Sequence, residues 1–137
     1  MEKLEENIKY NRYIVSLTHR FLEKNRNVII ELSKKYVEIF NQYGVLQHDI
    51  FQLVKPHDDD KQYFNHLEKV VSANLQDEEI WIEIIHYNDK NHWLETSAKM
   101  EKNIDCQQGW QEFTNLLTPG SNVICNEFGR LNEIGFE

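Results

Sequence analysis

One acidic residue interrupts the most β-prone run of the sequence, residues 80–87. Glu83 stands among isoleucines there, where a carboxylate is costly to bury unless it is paired or reaches a hydrated cavity. Trp81 and Tyr87 share its side of the predicted strand. An acid among aromatic rings is the usual composition of a small-ligand pocket, and in such a pocket the carboxylate could act as a base.

Glu83 also has two plainer interpretations. It could form a cross-strand salt bridge to Arg12 or Arg20, or it could lie at a water-exposed edge. The pocket interpretation makes Trp81, Glu83 and Tyr87 the candidate ligand-binding residues.

Two histidines flank the turn that follows this strand. His86, Asp89 and His92 could together form a metal or acid/base cluster. No third histidine lies at a matching helical interval, so a polar strand end and a histidine at a helix start explain them better. We nevertheless expect His92 at the mouth of the pocket, because its side chain titrates near neutral pH.

Two further features have weaker chemical interpretations. The run His57-Asp58-Asp59-Asp60 could bind a divalent cation, but consecutive acids point in different directions and also suit a solvated helix start. Cys106 at a helix start has no fixed base beside it in the sequence. We therefore predict no metal site and no cofactor, and we assign no catalytic residue.

Hydrophobic periodicity predicts the elements that position these residues. Residues alternating between apolar and polar, or rich in β-formers, predict four strands, and apolar residues at helical spacing predict a long helix and a later pair. Asn88 or Asp89 can cap the first helix of that pair, and Asp105 with Gln108 resembles a capping box. The predicted strands are 12–21, 46–54, 80–87 and 122–128, the helices 25–43, 93–100 and 105–117, and a further helical insertion of unassigned role occupies 55–77.

This order predicts a ferredoxin-like βαββαβ fold of the α+β class. Its helices would cover one face of a four-stranded antiparallel sheet. The other face would expose apolar side chains, which a monomer rarely leaves bare, so we expect a homodimer. The sequence leaves open which side of the third strand is exposed: Trp81, Ile85 and Tyr87, or Ile80, Ile82 and Ile84. The pocket interpretation of Glu83 requires the side of Trp81 and Tyr87 to face the dimer interior, and the isoleucine side then packs against the helices.

Length and charge limit the alternatives. The 137 residues suit one domain, expected at 12–130 between an arm at 1–11 and a tail at 131–137. The net charge of −8 repels nucleic acid and anionic lipid surfaces. The start lacks the apolar core of a signal peptide, and no apolar run approaches the about 20 residues of a membrane span. We expect a cytoplasmic protein with both cysteines reduced.

Short motifs resemble a known family. Glu23-Lys24-Asn25 before the first helix, Gly44-Val45-Leu46 after it, and Asn91-His92 followed by Ala98-Lys99-Met100 are similar to small uncharacterised bacterial proteins of the YbaA type. The resemblance spans about residues 12–130. Trp93-Leu94 departs from it, since arginine-aspartate stands there in that family. The resemblance implies a dimeric α/β barrel, in which two ferredoxin-like sheets pair face to face, and it implies no established activity.

Two classes of function fit these features. The first is a homodimeric small-molecule-binding or interaction module, with a cavity between its two sheets and no chemistry of its own. The second is a small cofactor-independent monooxygenase or isomerase, suggested by fold analogy with some dimeric α/β barrels. The cavity distinguishes them: an enclosed cavity with Glu83 or a histidine directed into it favours the enzyme.

Overall fold

The computed structural model of the chain describes residues 12–54 and 77–131. The predicted insertion at 55–77, with the run His57-Asp58-Asp59-Asp60, lies outside these ranges except for Asp77. A short 3-10 turn, Glu23–Asn25, joins the first strand to the first helix. The elements are β1 (Tyr13–Leu22), α1 (Arg26–Gln42), β2 (Gln47–Gln52), β3 (Glu78–Tyr87), α2 (Lys90–Glu101), α3 (Ile104–Asn115) and β4 (Ile124–Gly129).

The four strands form one sheet in the order β2-β3-β1-β4, and every neighbouring pair is antiparallel. This is the strand order of a βαββαβ fold in which the first and third strands occupy the centre. The prediction of a ferredoxin-like α+β fold is confirmed. No helix in the described ranges is both long and apolar enough to cross a membrane.

Short polar side chains and one glycine set the helix ends. The carboxylate of Asp89 accepts a hydrogen bond of 2.8 Å from the backbone N–H of His92 and so caps α2. Gly44, with φ of 76°, makes the turn after α1. For α3 the predicted start at Asp105 is two residues late, because Asn103 is the cap and accepts from the N–H of Cys106 at 3.2 Å.

The register of β3 assigns its two faces. Tyr87, Ile85 and Glu83 stand opposite Tyr13, Val15 and Leu17 of β1, and these pairs share one face because side chains alternate along a strand. That face carries the two core clusters beneath the helices. The first cluster contains Phe21, Ile29, Leu32, Trp81, Phe113 and Leu117, and the second contains Tyr13, Val15, Phe40, Ile85 and Tyr87.

The structure decides between the two sides of β3 that the sequence left open, and it does not give Trp81, Glu83 and Tyr87 the dimer-facing position that the pocket interpretation required. Trp81, Glu83 and Tyr87 lie under the helices, and the alternation then places Ile82 and Ile84 on the opposite face. The physical reason is the partner strand: β1 brings its bulky residues to the Trp81 side, where helices can cover them. The opposite side of β1 also has the apolar Ile14 and Leu22, but Ser16, Thr18 and Arg20 make it more polar.

Two adjacent acids begin β3, and each has an arginine partner. Glu78 accepts from Arg20 at 3.0 Å and 2.7 Å, and its other oxygen accepts from the hydroxyl of Thr118 at 2.7 Å. Glu79 pairs with Arg26 and also accepts from the indole N–H of Trp81 at 3.2 Å. Both carboxylates are buried, so these pairs satisfy charges that would otherwise be costly.

Removing the arginine of the first pair should weaken the fold. We expect Arg20→Met to lower the free energy of unfolding by about 2–3 kcal/mol, because the buried Glu78 carboxylate loses its charged donor. The loss is moderate because the arginine side chain is half-exposed, so water can reach its place. Urea denaturation of both proteins measures this difference.

Lys34→Met is the matched control. Lys34 pairs with Glu31 at 3.2 Å on the exposed side of α1, and such a surface pair contributes less than about 1 kcal/mol. Equal losses in the two variants would contradict a special role for the buried pair.

Candidate functional site

A cavity of about 580 Å³ lies between the sheet and the three helices. Its floor comes from β1 and β3, its walls from α1, α2 and α3, and β4 adds Cys125. The volume is in the range of small-molecule sites. The described lining residues are Val15, Leu17, Tyr36, Phe40, Ile85, Tyr87, Trp93, Ser97, Met100, Glu101, Cys106, Gln107, Trp110 and Cys125.

A smaller space of about 80 Å³ adjoins this cavity and leads to Glu83. The two spaces share five lining residues and are therefore adjacent parts of one candidate site. Ser33, Glu83 and Phe113 line only the smaller part, which places the carboxylate at the deep end. The shared residues are Leu17, Tyr36, Phe40, Met100 and Trp110.

A histidine of β2 accompanies Glu83. His48 Nε2 lies 3.3 Å from Glu83 Oε1, and the exposed fractions of the two side chains are 1% and 12%. Neither ring nitrogen of His48 makes a hydrogen bond of acceptable geometry within the described residues, so the contact is electrostatic proximity without an aligned hydrogen bond. His48 also packs edge-on against Phe40 at 5.0 Å.

The sequence did not single out His48 as a site residue. The sequence of β2 is polar and predicts a strand at the edge of the sheet. Only the pairing register of β2 with β3 brings His48 beside Glu83. The two arginines proposed as partners of Glu83 are engaged elsewhere: Arg20 with Glu78, and Arg12 at 3.4 Å from His86 Nδ1.

A second buried histidine, His19, lies on the face of β1 that the helices cover. It packs against the rings of Phe21, Trp81 and Phe113, and Nε2 has no hydrogen-bond partner among the described residues. Burial lowers the pKa of His19, and the negative charge of Glu83 opposes that shift. The neutral imidazole is therefore the favoured form in the folded protein.

Two phenols face the cavity. The hydroxyl of Tyr36 donates to the carbonyl of Cys106 at 2.9 Å, which leaves its oxygen as an acceptor on the cavity side. Burial raises the pKa of both Tyr36 and Tyr87, with a further contribution from the charge of Glu83. Both phenols are neutral at physiological pH.

The structure brings some of the predicted site residues together. Tyr87 lines the larger part of the candidate site and Glu83 the adjacent smaller part. Trp81 lies on the same face of β3 but packs in the first core cluster, and its exposed edge lines a separate open groove of about 660 Å³ between α1 and β2.

His92, in the first turn of α2, makes a structural contact with the C-terminal end of α1. Its Nδ1 accepts from the backbone N–H of Asn88 at 3.1 Å, so Nε2 carries the proton and donates to the carbonyl of Tyr43 at 2.8 Å. The ring also packs edge-on against Tyr87 at 5.3 Å. The His92 ring thus supports Tyr87 of the cavity floor. His92 itself is absent from the described lining of the cavity.

The proposed histidine–carboxylate cluster does not assemble. Asp89 is used by the α2 cap. His86 lies on the opposite face of β3, where burial and then Arg12 lower its pKa while Asp49 opposes the shift. No group of three or more His, Cys, Asp or Glu in residues 12–54 and 77–131 could hold a metal ion.

Both cysteines are free, and both line the larger part of the cavity. Burial raises the pKa of Cys106, and Asp105 raises it further. The pKa of Cys125 is raised by burial and by Glu127. These shifts favour the thiol over the thiolate, so neither side chain has the environment of an activated nucleophile.

Solved structures with the same fold were found, at very low sequence identity. No family model matches the chain, and no curated protein is significantly similar to it. A NIPSNAP family protein from Agrobacterium tumefaciens superposes with a TM-score of 0.57 and 8% identity, covering 90% of this chain and 89% of that one.

Two further structures superpose with a TM-score of 0.54. A variant of SnoaB, a cofactor-independent oxygenase from Streptomyces nogalater, is 9% identical and covers 86% of this chain and 92% of its own. A dimeric ferredoxin-like protein from an uncultured marine organism is 10% identical, covering 93% and 94%. These structural similarities support the ferredoxin-like fold of this chain.

The buried neutral His19 should make stability depend on pH. Its pKa is lowered in the folded state, so the unfolded chain binds this proton at a higher pH. The contribution of His19 is therefore lost as pH falls through the ordinary histidine pKa of about 6.5, by at most about 1.4 kcal/mol per pH unit. We expect His19→Phe to reduce the loss of stability between pH 7.5 and pH 5, measured by urea denaturation at each pH.

His86→Gln is the comparison variant, since the pKa of His86 is also lowered but the residue is less buried. It should change the pH dependence less than His19→Phe. An unchanged pH dependence in His19→Phe would contradict the assignment.

Proposed function

We propose that this chain is a homodimeric protein that binds a small, largely apolar molecule between its sheet and its helices. The observation that carries the proposal is the cavity of about 580 Å³ with aromatic walls. This cavity is open to solvent rather than enclosed, which favours a binding module over the enzyme that an enclosed cavity at Glu83 would indicate. The proposal covers one domain, residues 12–130, with an arm at 1–11 and a tail at 131–137, in a cytoplasmic protein. Kinship with the YbaA-type proteins, suggested by the Asn91-His92 motif, belongs to the same proposal.

The sheet face opposite the helices supports the dimer. By strand alternation Phe51, Ile124 and Phe128 lie on that face, and each is more than half exposed. Burying such side chains against a second copy stabilises an assembly by about 25 cal/mol per Å² of apolar area. The dimeric ferredoxin-like protein of the same fold gives a structural precedent.

A charge on that face should separate the subunits. We expect the unmodified protein to have twice the chain mass of 16.5 kDa at micromolar concentration, and Phe128→Glu to shift it to the monomer mass, because a desolvated carboxylate would lie in the interface. Light scattering coupled to size exclusion measures both.

Val28→Glu is the control for this substitution. Val28 is an exposed apolar residue of α1, on the helical side of the sheet, so the same change there should leave the mass unaltered. A monomer mass for the unmodified protein at micromolar concentration would refute the dimer.

Filling the cavity should abolish ligand binding. Ser97 of α2 lines the larger part of the cavity, while its neighbour Ala98 is exposed. We expect the neutral probe N-phenyl-1-naphthylamine to fluoresce with the unmodified protein and with Ala98→Trp, but not with Ser97→Trp, whose indole would occupy the site. Equal probe binding by the two variants would place the ligand elsewhere.

Native mass spectrometry of the protein as purified complements the probe. It reports the dimer mass and any retained small molecule in one measurement. A retained ligand that is present in Ala98→Trp and absent in Ser97→Trp would identify the natural occupant of the cavity.

A second candidate is a cofactor-independent oxygenase or isomerase, favoured by the position of Glu83 beside His48. A base at the deep end of a cavity could take a proton from a bound substrate, with the imidazole 3.3 Å away to share it. SnoaB shows that this fold occurs in a cofactor-independent oxygenase. Oxygen uptake with bound aromatic compounds that carry acidic protons, lost in Glu83→Gln, would favour the enzyme; binding without turnover favours the binding module.

A further inference from the structure

The carboxylates of Glu83 and Glu101 are the permanently charged groups among the described lining residues of the cavity. Glu83 lies at the deep end and Glu101 at the opening, and no lysine or arginine occurs among the described lining residues. A ligand with a carboxylate or phosphate would meet two carboxylates without a cationic partner. The lining therefore disfavours anions and favours neutral or cationic molecules.

The walls between these two acids are aromatic. Trp93 comes from α2 and Trp110 from α3, and each is held by a stacked neighbour: Trp93 by Tyr13 at 5.5 Å, and Trp110 by Phe113 at 5.7 Å. The face of an aromatic ring attracts a cation through its quadrupole. Among the described residues, five aromatic ones line the larger cavity: Tyr36, Phe40, Tyr87, Trp93 and Trp110.

The deep end of the cavity is rich in hydrogen-bond acceptors. Glu83 has two carboxylate oxygens, and the described polar group beside it is the ring of His48 at 3.3 Å, which does not make an aligned hydrogen bond to it. The hydrogen of Tyr36 is already donated to Cys106. A buried carboxylate is stable when donors satisfy it, and the described lining of the smaller space offers Glu83 the hydroxyl of Ser33 but no lysine or arginine.

The space beside Glu83 suits a small polar group. The part of the cavity that reaches Glu83 has a volume of about 80 Å³, while the larger part has about 580 Å³. An ammonium group fits the first, and an apolar body of one or two rings fits the second.

We propose that the cavity binds an amphipathic amine, with its ammonium group donating to Glu83 and its apolar body among the tyrosines and tryptophans that line the larger part of the cavity. This inference rests on the proposed binding function and adds the chemical class of the ligand. Glu101 at the opening supplies a second, weaker attraction for the cation.

Three compounds of nearly equal shape test the class. These are 4-phenylbutylamine, which is cationic at neutral pH, the neutral 4-phenylbutanol and the anionic 4-phenylbutyrate, titrated by calorimetry into the full-length protein. We expect the amine to bind at least about tenfold more tightly than the alcohol, since a charge-assisted hydrogen bond in a desolvated site contributes at least this factor. The carboxylate should bind most weakly.

Glu83→Gln should remove the preference for the amine. The amide keeps the shape but loses the charge, so the affinity for the amine should fall about tenfold while that for the alcohol changes by less than about twofold. Glu95→Gln is the control, because Glu95 is an exposed residue of α2 outside the cavity lining. It should alter neither affinity.

The outcomes separate the two levels of the proposal. An alcohol that binds as tightly as the amine to the unmodified protein overturns the amine assignment, whether or not Glu83→Gln folds, and leaves the binding function intact. The same holds if Glu83→Gln retains the preference. If none of the three compounds binds and N-phenyl-1-naphthylamine does not bind either, the binding function itself fails.

Discussion

The antiparallel register of β3 between β1 and β2 determines which residues this protein buries and which it directs into its cavity. Side chains alternate along a strand, so a shift of one residue would exchange the whole set. The observed register places Glu83 opposite Leu17 on one side and Ile50 on the other. It also places His48 diagonally beside the carboxylate. The candidate site depends on this register, because the register brings the Glu83 and His48 side chains together.

Much of the fold could be predicted from the sequence because its signals are local. The helical spacing of apolar residues located α1 to within a residue at each end, and Gly44 and Asp89 marked a turn and a cap where the structure has them. The cap of α3 was misplaced, because Asn103, Asp105 and Gln108 all have capping chemistry and only backbone geometry selects Asn103.

The site was harder to predict because it depends on contacts distant in sequence. Both sides of β3 are apolar, so its composition does not say which side the helices cover; the bulk of the β1 residues decides it. Glu83 and Tyr87 were identified as candidates, and both line the cavity. His48 and His19 were missed, since no spacing in the sequence relates β1 and β2 to the centre of β3. From the sequence, most of the helical residues that line the cavity were likewise predicted only to pack in the apolar core.

The three buried or half-buried acids of β3 differ in their partners, and this difference identifies the one available to a ligand. Glu78 has the guanidinium of Arg20 and the hydroxyl of Thr118, and Glu79 has Arg26 and the indole of Trp81. Glu83 lies on the same face as Glu79, four residues further along, where the described contacts supply a histidine in place of an arginine. A carboxylate so placed has unused acceptor capacity, and the adjoining cavity is the side from which a donor can reach it.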